Sequence, residues 1–124
     1  MPREHPERDA LTVFDIDTFA ERAIRFAAGM TFEQFVRDEK TQAAVLHEIT
    51  LIGEAAKRLS EGFRAAHPEI PWNVMARMRD VLIHHYDRVN LDEAWRVVSR
   101  DLPELRAGDP NAPLMALIFD SWYD

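Results

Sequence analysis

The stretch that decides the fold is Glu39–Ala66, EKTQAAVLHEITLIGEAAKRLSEGFRAA. Val45, Ile49, Ile52, Ala56, Leu59 and Phe63 recur in it at spacings of three and four. That period lays one apolar stripe along a helix, so the stretch reads as one long amphipathic helix with a face to bury. Gly53 stands mid-stripe, where glycine costs about 1 kcal/mol relative to alanine. Close approach by a second helix and plain tolerance both account for it.

The same period extends in both directions. Upstream, Asp9 reads as an N-cap, and Val13, Phe14, Phe19, Ile24 and Phe26 mark a helix to Ala28, stopped at Gly29. Thr31 and Gln34 form a capping box that opens a short helix containing Phe32 and Phe35. Downstream, His67-Pro68-Glu69-Ile70-Pro71 breaks the pattern, and a helix follows from Trp72 to Tyr86. Asn90 with Glu93 opens another through Leu91, Ala94, Trp95 and Val98, which Pro103 should kink or restart. No β-branched run of period two and no hairpin turn pair occurs. The predicted fold is all-α, an up-and-down bundle of four or five helices. Residues 1–8 read as a loose end, 9–107 as the helical domain and 108–124 as a linker with an apolar tail. Left in water, Leu117, Ile118, Phe119, Trp122 and Tyr123 would form an exposed patch, so the tail should pack on the core or on a partner.

The chain has 124 residues, 47% of them hydrophobic and 30% charged, which suits one globular domain. It has no cysteine, which excludes a disulfide framework, thiol chemistry and Cys-ligated metal. No apolar run approaches the ~20 residues of a membrane span, and the N-terminus lacks a signal-peptide core. A cytoplasmic protein that avoids the membrane is expected. The net charge of −7 argues against non-specific coating of nucleic acid, though it permits a local basic cleft.

The segment Trp72–Arg88 carries the chemistry. At about 100° per residue, Val74, Met78, Val81 and Leu82 share one stripe, and Arg79, Asp80, Ile83 and His84 face the other way. Asp80 and His84, four apart, are neighbours on that surface, where a carboxylate can fix the imidazole's tautomer for proton transfer. The Arg79 guanidinium fork suits phosphate. Ile83 and Ala76 among these polar groups suggest contact with another subunit. His85 lies on the core stripe. By spacing alone, such a group is more often a solvated or ion-paired surface than a site. Residues 72–90 hold three arginines against two aspartates, so an anion meets the least acidic part of the chain here. No Glu-x-x-His pair, P-loop or glycine-rich nucleotide loop is present, and neither a metal nor a cofactor is expected.

Arg79-Asp80-Val81-Leu82-Ile83-His84-His85-Tyr86 also reads as R-x4-H-x-Y with a polar residue after the arginine. Around it stand Ile52-Gly53-Glu54-Ala55-Ala56, His67-Pro68-Glu69-Ile70-Pro71-Trp72, Leu91-Asp92-Glu93-Ala94-Trp95 and Asp101-Leu102-Pro103-Glu104-Leu105. These ordered blocks, over residues 9 to 107, resemble the HepT-like branch of the HEPN superfamily. The resemblance implies a helical bundle that forms a homodimer with two R-x4-H helices facing a shared cleft. It implies a toxin with metal-independent endoribonuclease activity on RNA, and a partner antitoxin, an MntA-type nucleotidyltransferase, that neutralises it by AMPylation. Carried over by position, Arg79 and His84 are catalytic, Asp80 supports them and Tyr86 accepts AMP. His85 occupies the x of H-x-Y, where it could share or replace the role of His84. The competing expectation is a non-catalytic subunit that presents a nucleotide or substrate to a separate nucleotidyltransferase. Glu54 reads either as a buried acid near the cleft or as a solvated helix residue.

Overall fold

The computed structural model describes residues 6–68 and 91–103. Every regular element among them is helical, as the sequence predicts. The R-x4-H segment, the Asn90 cap and the tail beyond residue 108 lie outside the described residues.

Helix α1 (Pro6–Ala27) and helix α3 (Glu39–Arg58) make the main seam. They run antiparallel, because Asp9 meets Ser60 near one end and Arg22 meets Glu48 further along. Val13, Ile16, Ala20, Ala23 and Ala27 of α1 face Val45, Ile49, Ile52 and Ala56 of α3, all buried at alternating steps of three and four. Four alanines at the seam, three on α1 and Ala56 on α3, leave room for close backbone approach. Gly53 of α3 is buried as well.

Helix α1 begins before Asp9. Proline suits a first helical turn, so Pro6 can open it. Asp9 is 3% exposed and accepts hydrogen bonds from the Ser60 amide (3.1 Å) and the Ser60 hydroxyl (2.7 Å). A residue read as a local cap is therefore a tertiary anchor. At the other end, Gly29 takes φ +76°, the left-handed conformation that stops the helix.

Helix α2 (Phe32–Arg37) opens on the predicted capping box. The Thr31 hydroxyl accepts from the Gln34 backbone amide at 3.2 Å, and the Gln34 side-chain Oε1 accepts from the Thr31 backbone amide at 2.9 Å. At its far end Gln42 of α3 donates to the carbonyls of Phe35 and Val36, both at 2.9 Å, satisfying groups the helix leaves open. Asp38 caps α3 by accepting from the Thr41 amide at 3.0 Å. That bond, with the nearby Lys40, holds its carboxyl below the ordinary value of 3.8.

The stretch read as one helix to Ala66 is two. The chain turns extended at Leu59 (ψ 143°) and Ser60 (ψ 153°), and helix α4 (Glu61–Ala66) restarts under a Ser60 cap, whose hydroxyl accepts from the Phe63 amide at 3.1 Å. Leu59 stays buried and Phe63 half-buried, so both satisfy the apolar period although the axis is broken between them.

Helix α5 (Leu91–Arg96) continues into a wider π-helical segment, Val97–Asp101. Ala94, Val98 and Leu102 are buried at steps of four. In an α-helix that step drifts about 40° each time; a wider turn keeps all three on one face. The Ser99 hydroxyl donates to the Trp95 carbonyl at 2.6 Å, and the Leu102 amide bonds back to Val97. The adjustment predicted at Pro103 thus lies in the turn before it, and Leu102–Pro103 remain helical. The π segment packs on α1 and α5 on α2, where Trp95 lies against Phe35 (5.3 Å between centroids) and Phe32 (6.2 Å).

Candidate functional site

Arg79, Asp80, His84, His85 and Tyr86 all fall in the segment outside the described residues. What the structure places are the blocks around them. Ile52-Gly53-Glu54-Ala55-Ala56 is the C-terminal half of α3, with Ile52, Gly53, Ala55 and Ala56 buried and Glu54 half-buried. Glu54 thus lies between its two sequence readings: it borders the core and also meets solvent. His67 caps the C-terminus of α4, its ring 5.0 Å from that of Phe63. Leu91–Trp95 is α5, which carries Trp95 into the aromatic contact with α2. His47 is exposed on α3.

These placements share a logic. Chain enters the R-x4-H segment from α4 and leaves it into α5. Both flanks are tied to the α1–α3 seam, one by the Asp9–Ser60 bonds and the other by Val98, Leu102 and Trp95. The seam itself holds an acid. Glu48 is 3% exposed, with Arg22 of α1 at 3.6 Å, an ion pair longer than a hydrogen bond. No group of three His, Asp or Glu gathers as metal ligands among the described residues, nor is any described helix long and apolar enough to cross a membrane.

The α3–α4 corner shows a feature the sequence reading passed over. Lys57 and Arg58 are exposed in the last turn of α3, and Arg64 is half-buried in the last turn of α4. Glu61 is the one acid between Lys57 and Arg64. The Arg64 Nε is buried and has no hydrogen-bond partner among the described residues. Three cations within eight residues of an acidic chain was the available signal; the capping role of the same positions masked it.

The comparisons fit the frame just described. The model of the family "Ribonuclease HepT-like" matches residues 16–108, most of the chain and all of the R-x4-H-x-Y motif. This chain belongs to the HepT-like ribonuclease family. Among its relatives is the "Probable ribonuclease HepT" of Thermococcus cleftensis, 45% identical over 106 residues, which cover 86% of this chain and 93% of the relative. Another is "Putative RNase MJ0127" of Methanocaldococcus jannaschii, 41% identical over 99 residues, 79% of this chain and 82% of the other. No solved structure matches the chain at significant similarity. Both the first ten residues of α1 and the segment after residue 108 lie beyond the family match.

Proposed function

We propose that this HepT-like protein is the metal-independent endoribonuclease toxin of a toxin–antitoxin pair, acting as a homodimer. The observation that carries this reading is Arg79–Tyr86, an R-x4-H-x-Y motif inside the family match. RNA supplies its own nucleophile. The 2′-hydroxyl attacks the adjacent phosphorus, the 5′-oxygen leaves, and a 2′,3′-cyclic phosphate and a 5′-hydroxyl result. His84, one from each subunit, takes the proton from the 2′-hydroxyl and returns one to the leaving oxygen. Arg79 holds the charge that builds on the phosphorus centre. Asp80, one turn before His84, keeps its imidazole in the working tautomer.

Tyr86 lies seven residues after Arg79, two turns along nearly the same stripe. Attack of its hydroxyl oxygen, with loss of the proton, on the α-phosphorus of ATP in an MntA-type nucleotidyltransferase would release pyrophosphate and leave AMP on Tyr86, a bulky anion that blocks the cleft.

The test is cleavage of RNA by purified protein in chelator. Wild type should cut, and His84→Ala or Arg79→Ala should lower the rate by about 10²–10⁴-fold. Equal cleavage by His84→Ala overturns the mechanism. Incubation with the nucleotidyltransferase and ATP should add AMP mass to wild type and none to Tyr86→Phe. A wild type that binds RNA and never cuts it would favour the substrate-presenting subunit instead.

A further inference from the structure

Among the described residues four large apolar side chains are exposed, and three of them stand on α1: Leu11 (60%), Phe14 (50%) and Phe26 (40%). Leu11 and Phe14, three residues apart, are neighbours on one face of the helix. One such residue in water is ordinary, whereas an adjacent pair begins a patch. Phe26, at the other end of α1, is already faced by the Arg25 guanidinium at 5.8 Å. Residues 108–124 hold matching material. Met115, Ile118, Phe119, Trp122 and Tyr123 recur at steps of three and four, the pattern of one apolar stripe. The Leu11–Phe14 pair and this segment both lie beyond the family match, which runs from residue 16 to 108. The frame that the family shares accounts for neither.

The length of the intervening chain lets the two meet. The last described residue, Pro103, follows the π segment that packs on α1. Leu114 stands eleven residues further on, and extended chain spans up to about 3.5 Å per residue, or roughly 38 Å. Helix α1 has 22 residues, which makes it about 33 Å long. The segment therefore reaches any point along α1. A tether of this length also holds it at an effective concentration of about millimolar. A second copy or a separate protein must exceed that to take the same face.

We infer that residues 114–123 pack back on their own chain, along the Leu11–Phe14 face of α1. The inference does not depend on the ribonuclease reading. It assigns the tail an intramolecular role and removes this face of α1 from the surfaces open to a partner.

The test uses the full chain. Because the protein has no cysteine, Ser121→Cys offers a single site for a nitroxide label, at a polar position of the tail. In the ¹⁵N-labelled protein the nitroxide should broaden the amide signals of Leu11 and Phe14. Those of Val36 to Lys40, at the opposite end of the α1–α3 seam, should stay sharp. A second sample mixes unlabelled-isotope protein carrying the nitroxide with ¹⁵N wild type that carries none. There the broadening on α1 should disappear. Broadening that persists in the mixture places another copy's tail on the face and overturns the inference, as does a sharp Leu11–Phe14 signal in the first sample. The second measurement is cutting by chymotrypsin after Phe119, Trp122 or Tyr123. Leu11→Ser with Phe14→Ser changes two exposed positions; it should speed that cutting severalfold while helical content by circular dichroism stays at the wild-type value. An unchanged rate of cutting overturns the inference.

Discussion

Single residues at the helix ends set the local geometry, and two of them make measurable predictions. Asp9 is buried with both carboxylate oxygens engaged by Ser60. Asp9→Ala strands the Ser60 donors and should cost about 2 kcal/mol in urea unfolding. Asp9→Asn, which keeps one acceptor, should cost less. Asp38 is a half-buried cap whose folded carboxyl lies below 3.8, chiefly because of the Thr41 amide. Its charge therefore contributes stability above the unfolded value, and that contribution is lost as pH falls through the lower folded value. Asp38→Asn should flatten the acid limb of the stability curve by lowering stability slightly in the neutral region, with the two proteins converging at low pH where Asp38 is protonated; an identical acid limb in thermal melts would contradict this. At this scale the Thr31–Gln34 box and the Gly29 stop were legible, because a cap is chemistry between residues three apart. Asp9 was not, because its partner lies 51 residues away.

At the scale of the elements, the α1–α3 seam and the α2–α5 aromatic contact hold the described bundle together. Glu48 is buried in the seam with the half-exposed Arg22 as its ion-pair partner. Removing only the cation leaves a buried charge uncompensated. Arg22→Ala should cost about 1–2 kcal/mol, less than a fully buried pair because water reaches the arginine. In a Glu48→Leu background the same change should cost almost nothing, which a double-mutant cycle reads directly. Phe35 is fully buried beneath Trp95. Phe35→Ala should cost about 3–5 kcal/mol, a large part of a small domain's stability, with loss of the near-ultraviolet signal of Trp95. The existence and order of the helices followed from the apolar period. The break at Leu59–Ser60 did not, since a chain can turn a corner while Leu59 and Phe63 both keep contact with the core. The π segment escaped for a related reason: Ala94, Val98 and Leu102 fit an α pattern until the drift of a four-residue step is counted.

At the scale of the whole molecule, the proposed site needs two copies of one helix, so activity should follow the dimer population. Specific activity should fall on dilution through the range in which light scattering shows the dimer dissociating, and a constant value through that range would contradict a shared cleft. The sequence by itself determined the all-α class, the helix order, the capping box, the stop at Gly29 and the motif Arg79–Tyr86 with the family it belongs to. Those properties are written in spacings of three and four and in residue types at fixed offsets, which any chain displays before it folds. Only the tertiary structure decided that Asp9 anchors α4, that one apolar stripe serves two helices, that Glu48 is held by Arg22, and that the rings of Phe63 and His67 pair on α4. Each of those depends on which distant groups the packing brings within about 3–6 Å, where hydrogen bonds, ion pairs and ring contacts act, and periodicity fixes which face a residue occupies without naming what stands opposite.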